Sequence, residues 1–171
     1  QDYGISLEAA KYVSLPWDLI FMAKGQLAVT DGWGPNQSGD DDGYGNGVPI
    51  FDRLYLGGAN NMRGFNFREV GPVDADDNPI GGNSLGYITA EYTIPIIESI
   101  RAAVFSDSGF VNTDSWDPNP GDLYTDVGVG VRIKLPISPM PLALDYAFPV
   151  SSPDDEADKG GQFNFYLNYQ Y

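Results

Sequence analysis

Cysteine and histidine are both missing from the 171 residues. Without cysteine there is no disulfide framework and no thiolate metal site. Without histidine, the commonest general base and metal ligand is gone as well. No serine lies beside a plausible base, so no nucleophile constellation is visible. The sequence therefore points away from an enzyme, and it suggests no cofactor and no metal. Basic residues are scarce, nine against 24 acidic, for a formal net charge of −15. Nucleic-acid binding needs basic patches, so nucleic acid is excluded as a partner. No run reaches the roughly 18 apolar residues of a membrane-spanning helix. No convincing amphipathic helix is present. The opening "QDYGISLEAAKYVSLPWD" has no charged segment followed by an apolar run, hence no visible signal peptide. It reads as the middle of a longer protein.

Glycine and aromatic residues are plentiful, with 21 Gly, 11 Tyr, 9 Phe and 3 Trp. The dominant pattern has period two. In "QFNFYLNYQY", Phe163, Phe165, Leu167, Tyr169 and Tyr171 share one face, and Gln162, Asn164, Tyr166, Asn168 and Gln170 share the other. That is a strand with one apolar and one wet face. "YTDVGVGVRIKL" and "PLALDYAF" repeat the pattern. Seven strands are expected, at about 3–14, 19–30, 84–94, 99–111, 124–135, 141–149 and 162–171.

The connections alternate. Tight ones at 15–18, 95–98 and 136–141 interleave with long or medium ones at 31–82, 112–122 and 151–161. In an antiparallel meander, alternate connections lie at the same end, so one end carries turns and the other loops. Outer-membrane barrels are built this way, with strands of about ten residues. Of the 24 acidic residues, 16 fall in the three longer connections. Glu8, Lys24, Glu91, Arg101, Asp107, Asp126, Arg132, Lys134 and Asp145 alternate onto the inward face. A soluble sandwich would have to bury those charges, which is costly. Trp17, Phe21, Tyr92, Phe110, Tyr124 and Tyr171 near strand ends suit an interfacial girdle. Single-chain bacterial barrels close with an even number of strands, and open edges are unsatisfied in lipid. The seven strands are therefore expected to be the C-terminal part of a larger barrel, or one piece of an assembly.

The stretch "YLGGANNMRGF…VGP" (55–72) resembles the conserved loop motif of the bacterial surface antigen superfamily of outer-membrane barrels. "AEYTIPI", "AAVFSDSGFVN", "VGVGVRIKLPISPMPLALDYAFPV" and "GGQFNFYLNYQY" resemble that family's last strands in order. The "GVPIFDRLYLGG" lead-in and the Phe after Arg-Gly are most similar to its BamA-type branch. Met62 stands where the motif commonly has Val.

The resemblance implies an all-β antiparallel barrel of about 16 strands, within the range such barrels use. Residues 1–171 would be its C-terminal part, located in the bacterial outer membrane. Loop 31–82 would fold back into the lumen. Its motif residues would be Gly57, Gly58, Met62, Arg63, Gly64 and Phe65, with Arg63 contacting Glu91 and Asp107 on the wall. A guanidinium pairs with carboxylate through a planar fork that lysine lacks.

The implied function is folding and inserting β-barrel proteins by strand templating at the barrel seam. Phe163, Phe165, Leu167, Tyr169 and Tyr171 would form the seam strand and C-terminal signal. Partners would be outer-membrane lipid, unfolded β-barrel clients and accessory lipoproteins. Other readings stay open: a polypeptide-exporting barrel, a plain structural or porin-like barrel, or a barrel fused to a catalytic domain.

Two acidic stretches compete for attention. "DADDNP" (74–79) begins like a calcium loop, but Pro79 stands where glycine is required and no closing Glu follows. "GDDDG" (39–43) reads as a solvated tip, with weak divalent-ion bridging to lipopolysaccharide as the alternative.

Overall fold

The computed structural model describes residues 2–33, 47–136, 141–153 and 160–167. Seven strands follow one another: β1 Asp2–Leu15, β2 Leu19–Gly32, β3 Ser84–Ile97, β4 Ile100–Asn112, β5 Tyr124–Ile133, β6 Leu142–Ser151 and β7 Gln162–Leu167. They form a single antiparallel sheet in chain order. Among the described residues the sheet is open, and β1 and β7 are each paired on one side only. Tyr169, Tyr171 and the acidic stretch 39–43 lie outside the described residues. No described helix is long and apolar enough to cross a membrane.

Register is fixed by alternation, because a one-residue slip would exchange the two faces of a strand. It runs from Asp2↔Gly32 to Leu15↔Leu19 in the first hairpin. The register shifts between Pro95 and Ile97 in β3. Proline has no N–H for the ladder, and bulges accommodate it. A second shift falls at Thr125/Asp126, where β5 meets β6. The β1–β2 turn at Pro16–Asp18 places Trp17 at φ 63° and Asp18 at φ 57°. Arg101 of β4 secures it, donating from Nη1 to Asp18 Oδ2 at 2.7 Å and from Nη2 to the Asp18 carbonyl.

The two faces differ in kind. One is bare and apolar, with Leu7, Leu27, Ile88, Val129, Phe163 and Phe165 all more than half exposed. An apolar face this extensive calls for a lipid environment. The other carries the charges, and the 47–83 segment covers it. That segment has only isolated bridges, Leu54↔Gly82, Leu56↔Val70 and Val73↔Pro79. Its fold instead comes from buried anchors. Leu56, Met62, Phe65 and Val70 pack with Ala28, Leu85, Tyr87, Val111 and Tyr124 of the sheet. Arg53 ties the segment to itself, donating from Nε to the Val48 carbonyl at 3.0 Å and from Nη1 to that of Ile80 at 3.3 Å.

Tyr124 does not belong to an outward girdle. It shares the face of Asp126 two residues on, is buried, and meets Phe65 edge-on at 5.6 Å and 82°. Phe110 does point to the bare face, but it lies flat over Gly86, where a Cβ would strike its ring.

Candidate functional site

The tip of the covering segment is a tight turn. Gly57 and Gly58 sit at φ 116° and 107°, a region that side chains other than glycine's rarely enter. Asn61 Oδ1 accepts from the amides of Gly57 at 2.9 Å and Met62 at 2.7 Å. The Gly58 amide donates to the Met62 carbonyl at 3.0 Å. Met62 and Phe65 are buried on either side of Arg63 and Gly64, so the tip is pinned before and after the arginine. At Gly64 a Cβ would run into the Asp126 side chain and lie 3.1 Å from the Phe148 carbonyl carbon. The bare backbone comes close enough for its amide to donate to Asp126 Oδ2 at 2.9 Å.

Arg63 is 4% exposed and uses its whole guanidinium. Nε and Nη2 form a fork on Asp107, at 2.8 Å to Oδ2 and 2.9 Å to Oδ1. Nη1 reaches Glu91 Oε2 at 2.8 Å and Asp145 Oδ2 at 3.2 Å. Nη2 also donates to Thr89 Oγ1 at 3.2 Å, and the Thr89 hydroxyl donates to Asp107 Oδ1. The guanidinium carbon lies 3.3 Å from the centre of the Phe105 ring, within cation–π range. Burial alone would lower the affinity of Arg63 for its proton. The hydrogen bond and charge of Asp107 more than reverse that, holding it well above the ordinary arginine value. The tip is a permanent cation.

A second arginine completes the cluster. Arg132 of β5 bridges the same acids, from Nε to Glu91 Oε1 at 3.1 Å and from Nη2 to Glu91 Oε2 at 2.7 Å. It also reaches Asp145 through Nη1, and through Nη2 at 3.2 Å. Glu91, Asp107, Arg132 and Asp145 are each at most 1% exposed. The cluster thus joins the loop tip to β3, β4, β5 and β6. Two side chains of β7 reach it too. Asn164 Nδ2 donates to the Arg63 carbonyl at 2.8 Å, and Tyr166 Oη to Asp145 Oδ2 at 2.9 Å.

Alternation put Arg132 and Asp145 inward but did not reveal them as partners of the loop tip. A signal was available in the glycines of "GVGVR". Gly128 and Gly130 share the face of Arg132. A Cβ at Gly130 would strike Asp145 Oδ1, and one at Gly128 would strike the Phe105 ring. Those gaps let Phe105 lie under Arg63 and let Asp145 meet Arg132. The apolar β7 residues Phe163, Phe165 and Leu167 are on the bare face, away from the cluster. Around "DADDNP", Asp74 Oδ1 accepts from the amides of Asp76 and Asn78, both at 2.9 Å. Among the described residues no group of acids is arranged to hold a metal ion.

Comparison with known proteins agrees with this construction. Residues 3–171 match the Omp85 superfamily domain. The chain belongs to the Omp85 superfamily, the outer-membrane class whose loop motif its tip resembles. It is 32% identical over 133 residues to the outer membrane protein assembly factor BamA of Nitratidesulfovibrio vulgaris, covering 73% of this chain and 16% of that protein. The crystal structure of Haemophilus ducreyi BamA lacking POTRA domains 1–3 superposes with a TM-score of 0.76. That match has 23% identity and covers 96% of this chain and 34% of the other. The chain thus spans about a sixth of the curated relative's length.

Proposed function

We propose that these residues are the C-terminal seven-strand part of the barrel of an outer-membrane protein assembly factor. In this reading 47–83 belongs to a loop inside the barrel. Its arginine cluster keeps the wall in shape while the seam beside β7 opens. The free edge of β7 offers unpaired N–H and C=O groups to an incoming strand of an unfolded barrel protein. Catalysis by a side chain is not involved, and insertion is driven by burying the client's apolar face in lipid. Accessory lipoproteins would act on parts of the protein beyond these residues.

The observation that carries the reading is the seating of Arg63. One loop residue grips strands β3, β4 and β6 at once, through Glu91, Asp107 and Asp145. This is far more than a passive pore needs to keep a loop in place. The test is to reconstitute the full-length protein in liposomes and close the seam with a disulfide from β7 to the strand that faces it. Insertion of unfolded barrel clients should stop and should return on reduction. Undiminished insertion with the seam closed would overturn the reading. An exporting barrel would instead keep passing polypeptide with its seam locked.

A further inference from the structure

Among the described residues β7 has a neighbouring strand on one side only. Along its described residues its ladder to β6 runs from Leu142↔Leu167 to Ala147↔Gln162. Its apolar side chains Phe163, Phe165 and Leu167 face outward and pack little. A strand with a ladder on one side and little-packed apolar side chains opens locally more easily than one packed on both sides. Yet two of its three covered-face residues do not face open space. Asn164 donates to the backbone carbonyl of Arg63, which lies 101 positions earlier. Tyr166 donates to Asp145 Oδ2, the oxygen that also accepts from Arg63 Nη1 and Arg132 Nη2.

We propose that Asn164 and Tyr166 form a latch, positioning residues through which the Arg63 tip holds β7 against the cluster and limits its opening. The inference deepens the assembly reading, because on that reading β7 is the strand that templates clients.

The geometry favours a latch over incidental contact for two reasons. Arg63 is pinned independently, by Asp107, Glu91 and the buried neighbours Met62 and Phe65. Its carbonyl is therefore a fixed post rather than a mobile acceptor. Both bonds also sit on the inner face, so a strand joining the free edge of β7 would not compete with them directly. They set where that edge stands, and the backbone ladder remains open to pairing.

The test uses the full-length protein in lipid nanodiscs, with Tyr166→Phe, Asn164→Leu and the double variant. Tyr166→Phe removes only the hydroxyl, and Asn164→Leu keeps the size while removing the donor. Amide hydrogen exchange is followed across 162–167 and, as internal controls, across β3 and β4. Each single change should speed β7 exchange by roughly fivefold, and the pair by more than tenfold, as expected for ordinary net hydrogen bonds. β3 and β4 should not change. Asn164→Gln, which retains a donor, should recover part of the protection. Unchanged β7 exchange, or equal acceleration in β3 and β4, would overturn the latch. Client insertion by the same variants addresses the other reading: faster β7 exchange with wild-type insertion would leave the latch standing and count against templating by β7.

Discussion

Two arginine–carboxylate sites involve β4, and they use the same chemistry in different surroundings. Near the middle of the strand, Asp107 takes the fork of Arg63, with side chains 0% and 5% exposed. At the turn end, Arg101 meets Asp18 at 2.7 Å, where the acid is 76% exposed. The distances are nearly equal, so distance does not decide what each pair does. A buried charge that loses its partner is left without water to replace it, whereas an exposed one is simply hydrated. The first pair can therefore hold a loop in place, and the second adds a modest tie to a turn that its hairpin already defines.

The largest expected effect comes from breaking the first site. Arg63→Ala leaves Asp107, Glu91 and Asp145 buried with one fewer cation, while Arg132 still pairs with Glu91 and Asp145. Loss of about 3–5 kcal/mol is expected for such a break. Thermal unfolding of the full-length protein in detergent would measure it. Arg63→Lys should recover only part, because an ammonium cannot make the fork on Asp107 while reaching Glu91. Full recovery by lysine would mean that charge alone matters and the planar geometry does not.

A third arginine sharpens the contrast by having no carboxylate. Val129 is 56% exposed on the bare face, one strand position from the glycines that shape the cluster. Val129→Arg would place a guanidinium in lipid and should cost about 2–4 kcal/mol near the bilayer midplane. The same change tolerated without loss, read as equal folding yield into liposomes, would mean that this face does not meet lipid. By contrast, Arg101→Ala should cost at most about 1 kcal/mol, in line with exposed pairs. A loss as large as that of Arg63→Ala would show that exposure is a poor guide here.

How much of this was readable beforehand depends on the kind of interaction. Period two reveals faces, so the outward Phe163 and Phe165 and the inward Glu91 and Asp107 could be read from the sequence. Alternation says which side a residue is on, but not how far its side chain reaches across the sheet. Arg132 and Asp145 were therefore recognisable as inward and not as partners of the tip. Their meeting depends on the absent side chain at Gly130, and a glycine in a strand reads only as a gap. Tyr124 shows the reverse failure. Its position near a strand end suggested an aromatic girdle, but its parity with Asp126 placed it under Phe65. Where strand position and parity disagree, parity decides, because the pleat leaves no choice of side. The fold of 47–83 was least legible, since its order comes from buried anchors and carbonyl-bound Arg53 rather than from any repeating pattern.

The smallest expected effect concerns a carboxylate held by amides instead of a guanidinium. Asp74 accepts from the backbone and side chain of Asn78 and from the backbone of Asp76. These bonds, that of the Asn78 amide first, hold its pKa below the ordinary aspartate value. A depressed carboxylate stabilises the folded turn above the unfolded value, about 3.9, and loses that contribution as pH falls through the lower folded value. Between pH 7 and pH 5 the turn should therefore be indifferent to pH. Below about pH 4 it should loosen. The group is fully exposed, so the change should be local and leave the arginine cluster untouched. Amide NMR shifts of Asp76 and Asn78 provide the readout, and both should titrate together with a midpoint under the ordinary value. Asp74→Asn should abolish that titration while leaving the unfolding temperature unchanged. If the two amides titrate at the ordinary aspartate value, these hydrogen bonds do not favour the charged form. The contrast with Asp107 would then rest on the guanidinium alone.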